Sequence, residues 1–482
     1  MERFVYVYGA AVQGIQNFIF RTNELKDIIG ASELVEQVCT KLFREQFLQN
    51  GKKVVMAAGN IKCVYFSDQE CKKTVRLFPK KVMETAPGIT ISQAVISTTE
   101  KELENNFVSL MDRLEDKLRV QRNMPSKCYE LGLMGMERSR KTGLPAIEYI
   151  KDEYIDEATS QKWAFSDNAL LCKKSFGLDL KYKDIALDTK ELIGENDWIA
   201  VVHADGNGLG EIVRQKSTNK ETLNTFSEKL NEATCQASRN AFNSVWSSNE
   251  KKIPFRPVVL GGDDITMICK ASLALEYVKE YLYNFEKETR DRLDIEGGLT
   301  ACAGIAFIKS SYPFHYGYKL AETLCSQAKK VSKSVAEGQK APSSLMFYKV
   351  QSSFIESYDR MVEKEKTPDT GLSFDFGPYF LNKIENYRTI DWLEEKAKEL
   401  SSKEGNRAKT AIRKWMSYMH QNQELAEQSA KRSEQILSNP SLRDVFKAAT
   451  EKNLRPGTST VFYAASDILD IYTICNQTTK EA

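Results

Sequence analysis

The chain of 482 residues holds only three histidines, His203, His315 and His420, and they lie far apart. A histidine-based metal centre needs several imidazoles at one point, so this scarcity argues against one. No apolar run approaches the ~20 residues that a membrane-spanning helix requires. Neither sign of charge dominates: 68 Lys and Arg stand against 66 Asp and Glu, a formal net charge of +2. No global basic surface therefore calls for nucleic acid, which leaves only local clusters to consider. Ten cysteines are scattered without paired spacing. They read as reduced core residues of a cytoplasmic protein, not as a disulfide framework. Met1-Glu2-Arg3 leads straight into a short apolar strand, so no secretory leader is expected.

What the chain does hold is a pair of apolar runs hinged by Gly261-Gly262-Asp263-Asp264. Val258–Ile268 is of strand length and rich in β-branched residues, which predicts a β-hairpin with two carboxylates at its tip. Glycines give a tight turn its backbone freedom and let a ligand approach the main chain. Adjacent carboxylates repel unless a cation lies between them, so a divalent metal is the natural ligand. A solvated Asp-rich turn is the plain alternative. A second stretch favours the metal. Trp198–Asp205 is an apolar strand ending in a carboxylate, and Gly206-Asn207-Gly208-Leu209-Gly210 follows as a glycine-rich loop before a helical pattern. Backbone N–H groups at such a helix start suit phosphate. Together the stretches fit a palm-type nucleotidyl-transfer site, with Asp205, Asp263 and Asp264 as catalytic residues and ligands for two Mg²⁺ or Mn²⁺ ions. Gly206, Asn207, Gly208, Gly261 and Gly262 are then the nucleotide-binding backbone.

The order strand, helix, hairpin, helix, strand, helix occurs twice. It runs from Phe4 to about Arg119 and again from Trp198 to about Val331. This is an internal repeat of a ferredoxin-like βαββαβ unit. In the first copy Ala57-Ala58-Gly59-Asn60 stands where the Gly-Gly-Asp-Asp hairpin stands, and Ala10-Ala11 stands near Ala204-Asp205. The expectation is one live site and one silent one. The fold class is α+β: a first palm domain over 1–121, a connector over 122–195, a second palm over 196–352 and a helical C-terminal domain over 353–482. Within that tail, Lys403, Arg407, Lys409, Arg413 and Lys414 form a basic run. It reads first as a solvated helix face and second as a surface for RNA or a partner. In the late helix Leu320, Ala321, Leu324, Ala328 and Val331 make the buried stripe, and Lys329 and Lys330 leave it to reach a triphosphate. Asn207 and Ser326 are candidate base or ribose contacts, and His203 is a packing residue.

These motifs resemble the second palm of the large polymerase/cyclase subunit of type III CRISPR–Cas effector complexes. Val12–Phe20 and Gly30-Ala31-Ser32-Glu33-Leu34 resemble that family's first palm, and Thr142–Ala146 the end of its inter-palm zinc segment. The resemblance implies a cyclase that makes cyclic oligoadenylate messengers from ATP, in antiviral defence, with guide or target RNA and other effector subunits as partners. It also implies two facing palms, one nucleotide acting as 3′-hydroxyl attacker and one as donor. Two departures matter. No His-Asp pair of an N-terminal nuclease domain is seen, so no DNase activity is expected. Of the connector's zinc ligands only Cys128 and Cys172 are present, which gives zinc little support. Two further readings stay open. One is a non-catalytic palm scaffold that holds RNA or partner subunits. The other is a GTP-using dinucleotide cyclase, against which stand Ile265 and Thr266 after the acidic pair, where diguanylate cyclases carry Phe.

Overall fold

The computed structural model describes residues 3–57, 59–124, 133–178, 184–193, 198–216, 218–246, 252–352, 356–402 and 404–475. Strand β1 (Phe4–Gln13) is alternately apolar, and its two faces part company accordingly. Tyr8 and Ala10 enter a core shared with the rest of the molecule. Val5 and Val7 pack on Leu110, Leu114 and Leu118 of helix Phe107–Arg122. Strands β2 (Lys52–Ala57), β3 (Asn60–Tyr65) and β4 (Thr90–Thr99) complete a sheet of order β2-β3-β1-β4. After a hairpin β5–β6 (Ala146–Ile150, Glu153–Asp156), the second sheet is built from β7 (Trp198–Gly206), β8 (Phe255–Gly261), β9 (Asp264–Lys270), β10 (Ala301–Lys309) and β11 (Ser344–Lys349). Its order, β11-β10-β7-β9-β8, contains the same four-strand ferredoxin-like arrangement as the first sheet, with β11 added parallel to β10.

β7 shows why the two copies form one body. Trp198, Ala200, Val202 and Ala204 face the long helices Lys220–Val245 and Ala271–Leu293. Ile199 and Val201, on the other face, join the core that also holds Tyr8, Ala10 and Leu34 of the first copy. A strand covered on both sides reads as a continuous apolar run, as this one does.

The connector packs closely on the first copy. A Cβ on Gly30 would overlap the carbonyl of Lys162, so glycine is what lets helix Glu157–Ser166 cross helix Leu25–Gln37 at this point. Glu33 accepts from the backbone N–H of Leu171 at 3.1 Å. The Gly30–Leu34 motif is thus a packing motif here. Cys172 is buried in the core beside Phe176, away from any metal-ligating group among the described residues; Cys128 lies outside them.

Several boundaries differ from expectation. β7 runs to Gly206, so Asp205 lies within the strand. The last helix of the first copy breaks at Asn106 into Glu100–Asn105 and Phe107–Arg122. The C-terminal region is not wholly helical. Short strands β12 (Leu372–Ser373), β14 (Asn453–Leu454) and β15 (Val461–Phe462) form a small sheet, and β13 (Tyr379–Phe380) pairs with β11 as the sixth strand of the second sheet. Two-residue strands carry no periodicity, which is why pattern reading passes over them. Helix Pro440–Thr450 was also not expected, although Asn439 caps it and Pro440 opens it. No described helix is long and apolar enough to cross a membrane.

Candidate active site

Register brings the acidic residues together. Ala204 pairs with Ile265 across β7 and β9, and Gly261 pairs with Asp264 at the hairpin. One residue beyond Ala204, Asp205 comes level with Asp264. Carboxylate oxygens of Asp205, Asp263 and Asp264 all lie within 4.8 Å of one another, the one such metal-ligating group among the described residues. Two backbone features make this approach feasible. A Cβ on Gly206 would stand 2.8 Å from Asp263 Oδ2, so a side chain there would push the carboxylate away. Gly262 takes φ +65°, and Thr234 Oγ1 donates to its carbonyl at 2.6 Å, fixing the turn from behind.

Lys329 reaches this cluster from helix Phe314–Val335. Its ammonium donates to Asp205 Oδ2 and, at 2.8 Å, to the Gly206 carbonyl. Burial alone would press its pKa down, but Asp205 holds it above the ordinary lysine value. Asp205 is likewise pushed up by burial, yet hydrogen bonds from Asp264 and Lys329 bring it below the usual carboxylate range. Asp263 is raised to about 7 by burial and by the Asp205 charge. Asp264 is raised to about 9 by burial and by its hydrogen bond to Asp205. Two carboxyls raised by burial and one ammonium therefore share the cluster. Three convergent carboxylates, oxygen-only donors, fit a hard divalent ion such as Mg²⁺ or Mn²⁺.

The remaining predicted residues divide. Asn207 is buried, bonded through Nδ2 to Thr300 Oγ1 at 3.1 Å, and its Oδ1 has no partner. Gly208 lies in the loop that opens helix Leu209–Lys216. Lys330 and Ser326 are exposed; Lys330 lies about 100° around the helix from Lys329. His203 Nδ1 sits 3.1 Å from Thr266 Oγ1, and its ring meets Tyr318 edge-on, the packing role expected for it.

Sequence reasoning missed one contact. Gln16 Nε2 of the first copy donates to Tyr318 OH at 2.7 Å and to Glu322 Oε1 at 3.4 Å. It ties the short helix after β1, Ile15–Ile19, to the helix that carries Lys329. The partners are 302 positions apart, and nothing local marks such a pair.

A 610 Å³ cavity adjoins the hairpin turn at Gly262 and is walled by both copies, with Met56, Ala57, Ser227, Asn231 and Leu260 among its lining. A second, of about 500 Å³, lies at the equivalent hairpin of the first copy, bordered by Ala11, Gly14, Gly59, Asn60 and Arg122.

Residues 198–336 match the family model described as Cas10/Cmr2, second palm domain. That match spans the second copy of the repeat, with its Gly-Gly-Asp-Asp hairpin. Among solved structures, it is similar to a Csm1–Csm4 cassette in complex with cA3 (TM-score 0.58, 13% identity, covering 98% of this chain and 70% of that one). A cassette in complex with one ATP gives TM-score 0.56 at 14% identity, again covering 98% of this chain and 70% of that one. The Csm1–Csm4 subcomplex of the type III-A CRISPR-Csm interference complex gives 0.54 at 14% identity with the same coverage. At these identities the likeness establishes the fold. The chain spans 54–70% of the length of such matched chains. No curated protein matches it.

Proposed function

We propose that this chain is a divalent-metal-dependent nucleotidyltransferase that joins ATP units into cyclic oligoadenylate-type messengers in CRISPR or related antiviral defence. The observation that carries this reading is the convergence of Asp205, Asp263 and Asp264 within 4.8 Å beside Lys329. Asp205, Asp263 and Asp264 would hold Mg²⁺ or Mn²⁺. Bound there, such ions neutralise charge at the leaving pyrophosphate and acidify the attacking 3′-hydroxyl. The chain's own groups do the positioning. Lys329, released from Asp205, becomes a point charge for the triphosphate, and Gly206, Gly208, Gly261 and Gly262 leave the backbone open to it. The 610 Å³ cavity beside Gly262 is of a size to seat a nucleoside. The cavity at the first copy's hairpin lacks carboxylates and would take the second nucleotide as acceptor, with Arg122 at its edge.

A subunit of the Csm4 kind and guide or target RNA are the partners this reading anticipates. Purified protein incubated with labelled ATP and Mg²⁺ or Mn²⁺, with and without RNA-bound partners, tests it. Product must form, and must vanish in the Asp263→Ala/Asp264→Ala variant. Equal product from that variant would transfer the assignment to a scaffold; preferential use of labelled GTP would transfer it to a dinucleotide cyclase.

A further inference from the structure

At the end of β7 remote from Asp205, a cavity of about 360 Å³ lies between the tail of β11, helix Gly405–Met419 and helix Ala465–Cys475. Its one carboxylate is already engaged. Asp470 Oδ1 takes Gln351 Nε2 at 3.4 Å and Lys349 at 3.7 Å. Its Oδ2 takes Ser466 Oγ at 3.4 Å and Lys366 at 3.9 Å. What is left in the cavity is a surplus of donors.

Lys349 is the inner one. Its side chain is 10% exposed, held over the Trp198 ring at 5.1 Å and donating to Thr473 Oγ1 at 2.6 Å. Arg413 is the outer one: it lines the mouth, is exposed, and has no hydrogen-bond or ion-pair partner among the described residues. Ser417 lies one helical turn on from it. Burial, and then the nearby charges of Lys309 and Arg413, hold Lys349 below the ordinary lysine range despite Asp470. Lys349 and Arg413 both line the cavity, and an anion between them would pair with both.

We propose that this cavity binds the phosphate monoester of a small phosphorylated molecule, with Lys349 at its floor and Arg413 closing on it from the helix. A dianion suits two cations lining one cavity better than the single charge of a phosphodiester does, and a guanidinium with its donors open can take phosphate bidentately. The volume lies at the lower end of small-molecule sites, so a mononucleotide-sized ligand is the upper limit.

Hydrogen exchange of the full chain, read by mass spectrometry, tests this. Inorganic phosphate should protect residues 405–420 and 465–475, and chloride at the same ionic strength should not. Exposed Arg413 can be changed without opening the core: Arg413→Gln should weaken phosphate about tenfold and Arg413→Lys less. AMP should bind this site equally in the Asp263→Ala/Asp264→Ala variant, which separates it from the carboxylate cluster. Single-stranded RNA with a 5′-hydroxyl, whose phosphates are all diesters, should not compete. The proposal is overturned by absent protection, by equal protection from chloride, or by indifference to Arg413→Gln. RNA that protects these segments where phosphate does not would also overturn it, in favour of a nucleic-acid surface.

Discussion

The two ferredoxin-like copies share strand order and register, yet only one gathers carboxylates. Ala10 pairs with Ile61 as Ala204 pairs with Ile265, and Ala57 pairs with Asn60 as Gly261 pairs with Asp264. Ala11, Gly59 and Asn60 therefore occupy the places of Asp205, Asp263 and Asp264. The turns differ as well. In the second copy the left-handed φ falls on Gly262, which leaves the next position to an ordinary residue, Asp263. In the first it falls on Gly59 itself, where a Cβ would meet Ile15 Cδ1 at 2.5 Å. The first copy is thus not one substitution from being acidic, because a side chain in the place of Asp263 would be strained at a left-handed φ. A shared scaffold fixes where a site can be, and turn geometry decides whether it can be charged.

The sharpest way to break this contrast is to make the second copy resemble the first. Asp263→Ala/Asp264→Ala should lower product formation by about 10³-fold or more while leaving the fold intact, measured with labelled ATP and by circular dichroism. Lys329→Met should cost about 10- to 100-fold, with Lys329→Arg intermediate, because a point charge on phosphate is lost while the carboxylates remain.

Acidity gives a smaller effect that only the second copy should show. Asp263 and Asp264 have folded pKa values of about 7 and about 9, above the ordinary 3.8. A carboxyl whose folded pKa is raised costs the native state stability as pH climbs from the unfolded value, until it passes the folded one. Metal-free protein should therefore lose stability progressively as pH rises from 3.8 toward 9 by urea unfolding. Added Mn²⁺ should cancel that loss, and Asp264→Asn should flatten the slope without metal. The converse graft, Gly59→Asp, should create no cation site and destabilise the first copy by about 1–2 kcal/mol through strain at a left-handed φ. Smallest of all, Gln16→Leu should cost about 1 kcal/mol or less, the worth of a partly exposed hydrogen bond between the copies.

Much of this organisation was legible in the residues. The repeat shows because each copy's strands are β-branched runs and its helices carry an apolar stripe, as in Leu320, Ala321, Leu324 and Ala328. The carboxylate cluster was legible because Gly-Gly-Asp-Asp on a hairpin and Asp205 at the end of an apolar strand are written locally. What stayed hidden depends on distant partners. β13 exists through two pairs with β11, and Gly30 is explained only once Lys162 lies against it. Nor could spacing tell which of Lys329 and Lys330 faces the carboxylates; the helix's docking on β7 and β10 decides it for Lys329.

The central claim is that Asp205, Asp263 and Asp264 hold a common ion. Mn²⁺ titration followed by electron paramagnetic resonance tests it on the full chain. Binding should be present in the native protein and weakened at least about tenfold by Asp205→Asn and by Asp264→Asn alike. Unchanged Mn²⁺ affinity in Asp205→Asn, with loss only in the hairpin variant, would contradict it.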